Sequence, residues 1–350
     1  MFVLRYRPER GLLCLAALLL LGSAAVRADE PELEPDYRPG QGWQVPGTGI
    51  SLGGYASAGF ENLRDSPASY AVNDLSLFVH WEGEGKFRFF SEIDLEDAFS
   101  YSPASGSDTG DRSVALERLY GDYLYSAGLN FRAGKFLTPI GRWNIVHADP
   151  LVWTTSRPLT TERLFPTNVT GAMVFGSVSV LGRDLDYSVY TALANDWRPD
   201  PKLDPFDEAY GLHIETPVSA NAEFGVSLVS FEQKSSVGER KKLLGLDYFW
   251  SRGRYELAAE AAYRISDEGN MHDERGLFIQ GVAPLSARLY AVARYEFYDE
   301  AGPTPAVNLW LAGLALKLSP ALVLKIEYRE ASELQVLAPD GLLASISVLF

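Results

Sequence analysis

His80, His147, His213 and His272 are the only imidazoles in the 350-residue chain, and Cys14 is its only thiol. Nucleophilic hydrolysis needs a serine held against a histidine, and acid-driven hydrolysis needs paired carboxylates beside one. His80 falls on the polar side of an extended segment, His147 and His272 fall in connecting segments, and His213 lies in a strand without an evident serine partner. No catalytic residue is therefore assigned. No phosphate-binding loop, zinc spacing or dinucleotide fingerprint occurs either, so neither a metal nor a cofactor is expected. Gly53-Gly54, Gly128 and Gly134 read as points of close strand approach.

Chemistry of another kind is available to charges acting together. The segment 138–168 contains four prolines, several large apolar residues, and Arg142, His147, Asp149, Arg157, Glu162 and Arg163. A link of about thirty residues of that composition is expected to fold against something. Arg88, Glu92, Asp94, Glu96, Arg118, Asp122 and Arg132 form the expected neighbouring wall. Charges fixed in a constriction with low-dielectric walls bias which ions enter. The same residues could instead pair with one another and merely hold the segment in place.

The elements that must position these charges are strands. In the last ten residues Ala344, Ile346, Val348 and Phe350 share one face and Ser345 and Ser347 the other, the pattern of a strand with one apolar side. Phe87, Phe89, Ile93 and Leu95 likewise oppose Arg88, Glu92, Asp94 and Glu96, and Tyr255, Leu257, Ala259, Ala261 and Tyr263 oppose Arg254, Glu256, Glu260 and Arg264. Leu289, Ala291, Ala293, Tyr295 and Phe297 oppose Arg288, Arg294 and Glu296, and Leu322, Leu324, Ile326 and Tyr328 oppose Lys325, Glu327 and Arg329. A charge at a bilayer midplane costs about 2 to 4 kcal/mol on such a scaffold, so the charged faces must meet water.

This alternation predicts about sixteen strands, from 51–61 through 74–82 and 85–97 to 341–350. The links alternate in length. Those at 82–85, 126–128, 182–184, 251–253, 284–286 and 319–321 are short, whereas 100–112, 138–168, 195–207, 267–274, 298–305 and 330–340 are long and polar. The fold class is all-β: a transmembrane antiparallel β-barrel with short periplasmic turns and long external loops. Trp81, Tyr125, Trp250, Tyr255, Tyr263, Tyr295, Phe297, Tyr328 and Phe350 fall near strand ends on the outward face, where amphipathic rings sit between headgroups and hydrocarbon. A soluble sandwich also has many short strands, but not this alternation of links.

Both ends of the chain agree on a compartment. Residues 1–28 read as a secretory signal peptide, with Arg5, Arg7 and Arg10 before the apolar stretch Leu12 to Leu21 and a small-residue site at Val26-Arg27-Ala28. Residues 29–49 read as a proline-rich, flexible periplasmic lead-in, and 50–350 as the barrel with 138–168 folded inward. After residue 28 no run of 18 apolar residues exists, which excludes helical spans. The whole chain carries 31 basic and 46 acidic residues. Four arginines and Glu9 lie within the signal, so the remainder has 27 against 45, a net of −18. A nucleic-acid partner would need the opposite sign.

A barrel of this strand number leaves an aqueous channel unless something plugs it, so passage of solutes is the expected function. In strand number, in the position of its long third external loop and in terminal Phe350, the chain resembles general porins. The stretch Arg132-Ala-Gly-Lys-Phe-Leu-Thr-Pro-Ile-Gly-Arg-Trp-Asn144 resembles, more closely, a strand motif of the phosphate-selective porin O/P-like family. The resemblance implies a passive channel in the bacterial outer membrane for small hydrophilic solutes or ions. It further implies a homotrimer, outer-membrane lipid and lipopolysaccharide as surroundings, and Phe350 as an assembly signal. Selectivity in that family rests on a ladder of basic residues; here both signs line the lumen, and the expected selectivity is weak, or weakly anionic at the loop. The alternative is an occluded barrel serving as an adhesin, receptor or structural protein through its acidic external loops.

Overall fold

The computed structural model describes residues 37–38, 42–109, 112–146, 148–197, 204–269, 273–332 and 338–350. The signal segment, much of the lead-in, His147 and His272 lie outside the described residues.

The strands run β1 (Tyr37–Arg38), β2 (Gly42–Val45), β3 (Ile50–Leu63), β4 (Ser69–Glu82), β5 (Phe87–Ser102), β6 (Gly106–Asp108), β7 (Ser113–Ser126), β8 (Leu129–Leu137), β9 (Asn168–Val180), β10 (Arg183–Ala192), β11 (Phe206–Ser219), β12 (Ala222–Gln233), β13 (Lys241–Arg252), β14 (Tyr255–Ser266), β15 (Glu274–Pro284), β16 (Leu289–Asp299), β17 (Val307–Ser319), β18 (Leu322–Ala331) and β19 (Gly341–Leu349). Apart from the short β1, β2 and β6, each pairs antiparallel with its neighbours in sequence, and β19 pairs with β3 from Gly341↔Leu63 to Leu349↔Tyr55. This makes a closed sixteen-stranded antiparallel barrel, as the alternation predicts. Closure removes the unpaired sheet edge that hydrocarbon would not tolerate.

The outward face is apolar where it was expected to be. Leu77, Ile93, Leu228, Leu246, Tyr263, Ile279, Trp310 and Ile326 are exposed, while Glu92, Asp94, Asp247, Glu260, Arg294, Lys325 and Glu327 are buried on the inner face. No described helix is long and apolar enough to cross a membrane.

Three features differ from the sequence expectation. β4 begins at Ser69 and β5 ends at Ser102, each five residues past the predicted limit, because backbone pairing continues beyond the stretch that apolar alternation marks. β6 folds back on β5 with Ser100↔Asp108 and Ser102↔Gly106, so part of the predicted loop 100–112 is strand. Within the lead-in, Gly42–Val45 pairs with β3 through Trp43↔Leu52 and Val45↔Ile50, using the part of β3 that β19 does not reach.

Phe350 completes the seam. Its N–H donates to the Gly54 carbonyl and the Gly54 N–H to its carbonyl, each at 2.9 Å. A Cβ at Gly54 would meet the Phe350 ring at 3.0 Å, so the missing side chain is what lets the ring lie there.

Inside, the wall is two-sided in character. Val229, Phe231, Leu243, Ala262, Tyr298, Leu309 and Leu311 turn inward and pack with Phe136, Ile140, Leu159, Leu164 and Phe165 into one buried cluster. Apolar groups on the inside of an aqueous barrel must be covered. The segment after β8 covers them.

Candidate channel constriction

The long segment leaves β8 and turns into the barrel at Gly141, whose φ is +63° and whose missing Cβ leaves room for the Glu260 carboxylate. That carboxylate accepts the N–H groups of Arg142 (2.9 Å) and Trp143 (2.6 Å) at the start of the short helix α1, Trp143–Val146. Asn144 then ties the two ends of the loop, donating to the carbonyls of Thr138 (2.8 Å) and Thr167 (3.0 Å).

The return arm is held by wall charges. Glu327 accepts the N–H groups of Thr155 and Ser156 at 2.8 and 2.9 Å. Glu296 accepts that of Leu159 at 2.7 Å, where the helix α2, Leu159–Arg163, begins. Arg294 donates to Thr154 Oγ1, the Ser156 carbonyl, Ser156 Oγ and Glu296. Lys325 donates to the carbonyls of Asp149 (2.8 Å) and Thr154 (3.1 Å) and to the Asp149 carboxylate (2.7 Å). Burying such charges is costly unless every one is hydrogen-bonded; here the loop backbone supplies the partners. Sequence reading placed these residues in the lumen but did not identify them as loop anchors.

These contacts lie on β14, β16 and β18, and Gly141 and Thr155 add hydrogen bonds to Ser227 of β12 and Ser345 of β19. On the opposite side, between the loop and β3, β4, β5 and β7, a cavity of about 330 Å³ is lined by Tyr55, Asn73, Asp74, Asp94, Glu96, Asp97, Glu117, Trp143, Asp149, Val152, Thr155, Arg157 and Thr167. Six carboxylates there face one guanidinium. Asp94 Oδ1, Asp149 Oδ2 and Arg157 Nε are buried without a hydrogen-bond partner. Arg157 Nη2 donates to Asn144 Oδ1 at 2.6 Å, and its guanidinium lies 5.0 Å from the Trp143 ring centre.

The six loop residues expected at the constriction do not form one ring. Asp149 and Arg157 line this cavity together. Arg142 lies over Phe249 at 3.9 Å and bonds Glu223 at 3.2 Å, on the other side of the loop. Glu162 and Arg163 are partly exposed on α2 and face each other at 3.6 Å. His147 is outside the described residues.

On the expected wall, Asp94 and Glu96 line the acidic cavity. The three arginines are paired: Arg88 with Glu82 at 2.5 Å, Arg118 with Glu92, and Arg132 bidentately with Asp122 at 2.7 and 2.8 Å. Arg118 and Arg132 also stack on Phe90 and Tyr120. Asp74, Asp97 and Glu117 were missed. The sheet registers shift between Val72 and Asp74 and between Glu92 and Ile93. Those bulges set Asp97, at φ 47°, and Glu117 out of the simple alternation.

His213 does have a serine partner, contrary to the sequence reading: Nδ1 lies 2.9 Å from Ser227 Oγ, because β11 and β12 pair His213 with Ser227 across the sheet. Asp247 Oδ2 approaches the same nitrogen at 3.9 Å. A hydrolytic relay holds serine and carboxylate on opposite ring nitrogens; both oxygens here are at one.

No family model matches the chain. An uncharacterised protein of Aquifex aeolicus is 29% identical over 137 residues, which is 38% of this chain and 30% of that protein, so the match spans under a third of the relative's length. The barrel is similar to an anion-selective porin of Comamonas acidovorans, with 13% identity, a TM-score of 0.59 and coverage of 86% of this chain and 98% of the porin. It is also similar to OmpF of Salmonella typhi, solved in complex with daunomycin, with 11% identity, a TM-score of 0.64 and coverage of 87% and 98%. At these identities the likeness is one of fold. The chain is a porin-like sixteen-stranded barrel.

Proposed function

We propose that this chain is an outer-membrane porin, a passive water-filled channel for small hydrophilic solutes and ions, without turnover or cofactor, and that its constriction prefers cations. The observation that carries the reading is the inward loop, pinned to β12–β19, which brings Asp149 and Arg157 to a gap whose facing wall on β4, β5 and β7 carries Asp74, Asp94, Glu96, Asp97 and Glu117. Lys325 pairs with Asp149 at 2.7 Å, and the acids that line the gap still outnumber the basic groups that touch it; a cation 4 Å from a carboxylate gains about 1 kcal/mol in water and about 4 kcal/mol at a protein surface. Of Arg142, Arg157 and Arg163, from which a weak anionic preference is expected, Arg157 alone lines this gap, which supports the cationic reading over the anionic one.

The fold likeness to porins and the apolar outer face support the outer membrane, with lipid and lipopolysaccharide around it. A homotrimer is part of the same proposal, with Ala259, Ala261, Ala291 and Ala293 as a low-relief contact surface. Kinship with the phosphate-selective O/P-like family is supported by the stretch 132–144, but the acidic gap argues against phosphate as the solute.

Reversal potential in a potassium chloride gradient across a planar bilayer tests the reading. Discrete conducting steps with a cation-sided potential are expected. An anion-sided potential removes the proposed selectivity. A folded protein that conducts nothing favours the occluded adhesin or receptor.

A further inference from the structure

On the inner wall, away from the acidic gap, His213 and Glu215 of β11 and Asp247 of β13 present ligand atoms that all lie within 4.8 Å of one another. The strands explain the convergence. Glu215 pairs across the sheet with Gly225, which pairs with Asp247, and His213 pairs with Ser227. A Cβ at Gly225 would collide with the Asp247 carboxylate, so that carboxylate leans over the glycine from β13 towards β11. Asp247 is 4% exposed, and its Oδ2 has no hydrogen-bond partner. A buried carboxylate oxygen left unpaired is costly and calls for a cation.

We infer that His213, Glu215 and Asp247 form a binding site for a divalent transition-metal cation, of which Zn²⁺ is the representative. Imidazole with two carboxylates suits zinc, with bonds of about 2.0 to 2.2 Å, so small side-chain rotations close the set onto an ion. Calcium and magnesium favour all-oxygen cages, and the imidazole selects against them. The charge balance fits a dication: Glu215 and Asp247 lie near Glu223, whose carboxylate already holds Arg142 at 3.2 Å, and Arg118 and Arg132 on the far wall are taken by Glu92 and Asp122. An entry path exists, because His213 and Glu215 line a cavity of about 490 Å³ bounded by Arg118, Arg132 and Phe175. The ligands come from two strands with a third between them, which is why no zinc spacing appears in the sequence. The occupied site would place a dication on the lumen wall.

Calorimetric titration of the detergent-folded, full-length barrel with zinc chloride tests this. One strong site per chain is expected. It weakens at least about tenfold in His213→Gln and in Asp247→Asn, since even outer-shell partners are worth that much, and is unchanged in His80→Gln, whose histidine lines the wall elsewhere. Circular dichroism establishes that each variant is folded; should Asp247→Asn fail, the half-exposed Glu215→Gln takes its place. X-ray absorption of the zinc-loaded wild type should show one imidazole among oxygen ligands. The site is overturned by the absence of strong binding in the wild type, by unchanged affinity in the variants, or by displacement of zinc by millimolar calcium. None of these readouts depends on the channel conducting.

Discussion

Single residues in this barrel are defined by what they meet across the sheet. Arg118 and Arg132 sit on the lumen wall, yet each is matched by an adjacent carboxylate and laid on an aromatic ring, so neither presents a free charge to a passing ion. Asp94 and Glu96 gather with Asp149 in a cavity whose one lining guanidinium is that of Arg157, while Lys325 holds Asp149 from the wall. Replacing Asp94 and Glu96 with Asn and Gln should therefore reduce the cation-to-anion permeability ratio several-fold, read as a shift of the reversal potential towards zero. The triple change of Arg142, Arg157 and Arg163 to Ala should move selectivity further towards cations, mainly through Arg157. Unchanged ion preference in the triple variant would take the loop out of the selectivity mechanism.

At the scale of elements, the inward loop is an insertion stabilised by buried charge and by apolar contact together. Arg294 is 2% exposed and makes four hydrogen bonds, three of them to the loop. Replacing it with Met leaves Glu296 and the loop oxygens without their partner. Removing one member of such a buried network costs about 3 to 5 kcal/mol. The expected result is a lower urea midpoint in detergent, with larger and noisier single-channel conductance as the loop leaves the wall. A stable variant with wild-type conductance would mean that Glu260, Glu327 and Lys325 together with the apolar cluster of Ile140, Leu159 and Phe165 hold the loop without Arg294.

For the whole molecule, the determining fact is closure between β19 and β3, with Phe350 seated over Gly54. Phe350→Ala should lower the temperature at which the folded band converts to the unfolded one in gel electrophoresis. The apolar exterior makes a second expectation. Ile279 lies at the middle of β15 and is 48% exposed, so Ile279→Arg should destabilise the barrel by about 2 to 4 kcal/mol in lipid. Equal stability of that variant in bilayers would mean that hydrocarbon does not contact this face.

Strand identity, strand number and the apolar side each strand turns outward were legible in the sequence, because apolar alternation is a property of consecutive residues and a one-residue slip would invert it. The lumen charges were legible as a set for the same reason. Their partners were not. Which arginine meets which acid, that Ser227 lies against His213, and that Asp247 leans over Gly225 all depend on cross-strand register and on two bulges. Glu327 bonds Thr155 and Ser156 across a separation of more than 170 residues, and no local pattern records that contact. The sequence determined a closed sheet with an apolar exterior and charge inside; only the tertiary structure decided which of those charges cancel.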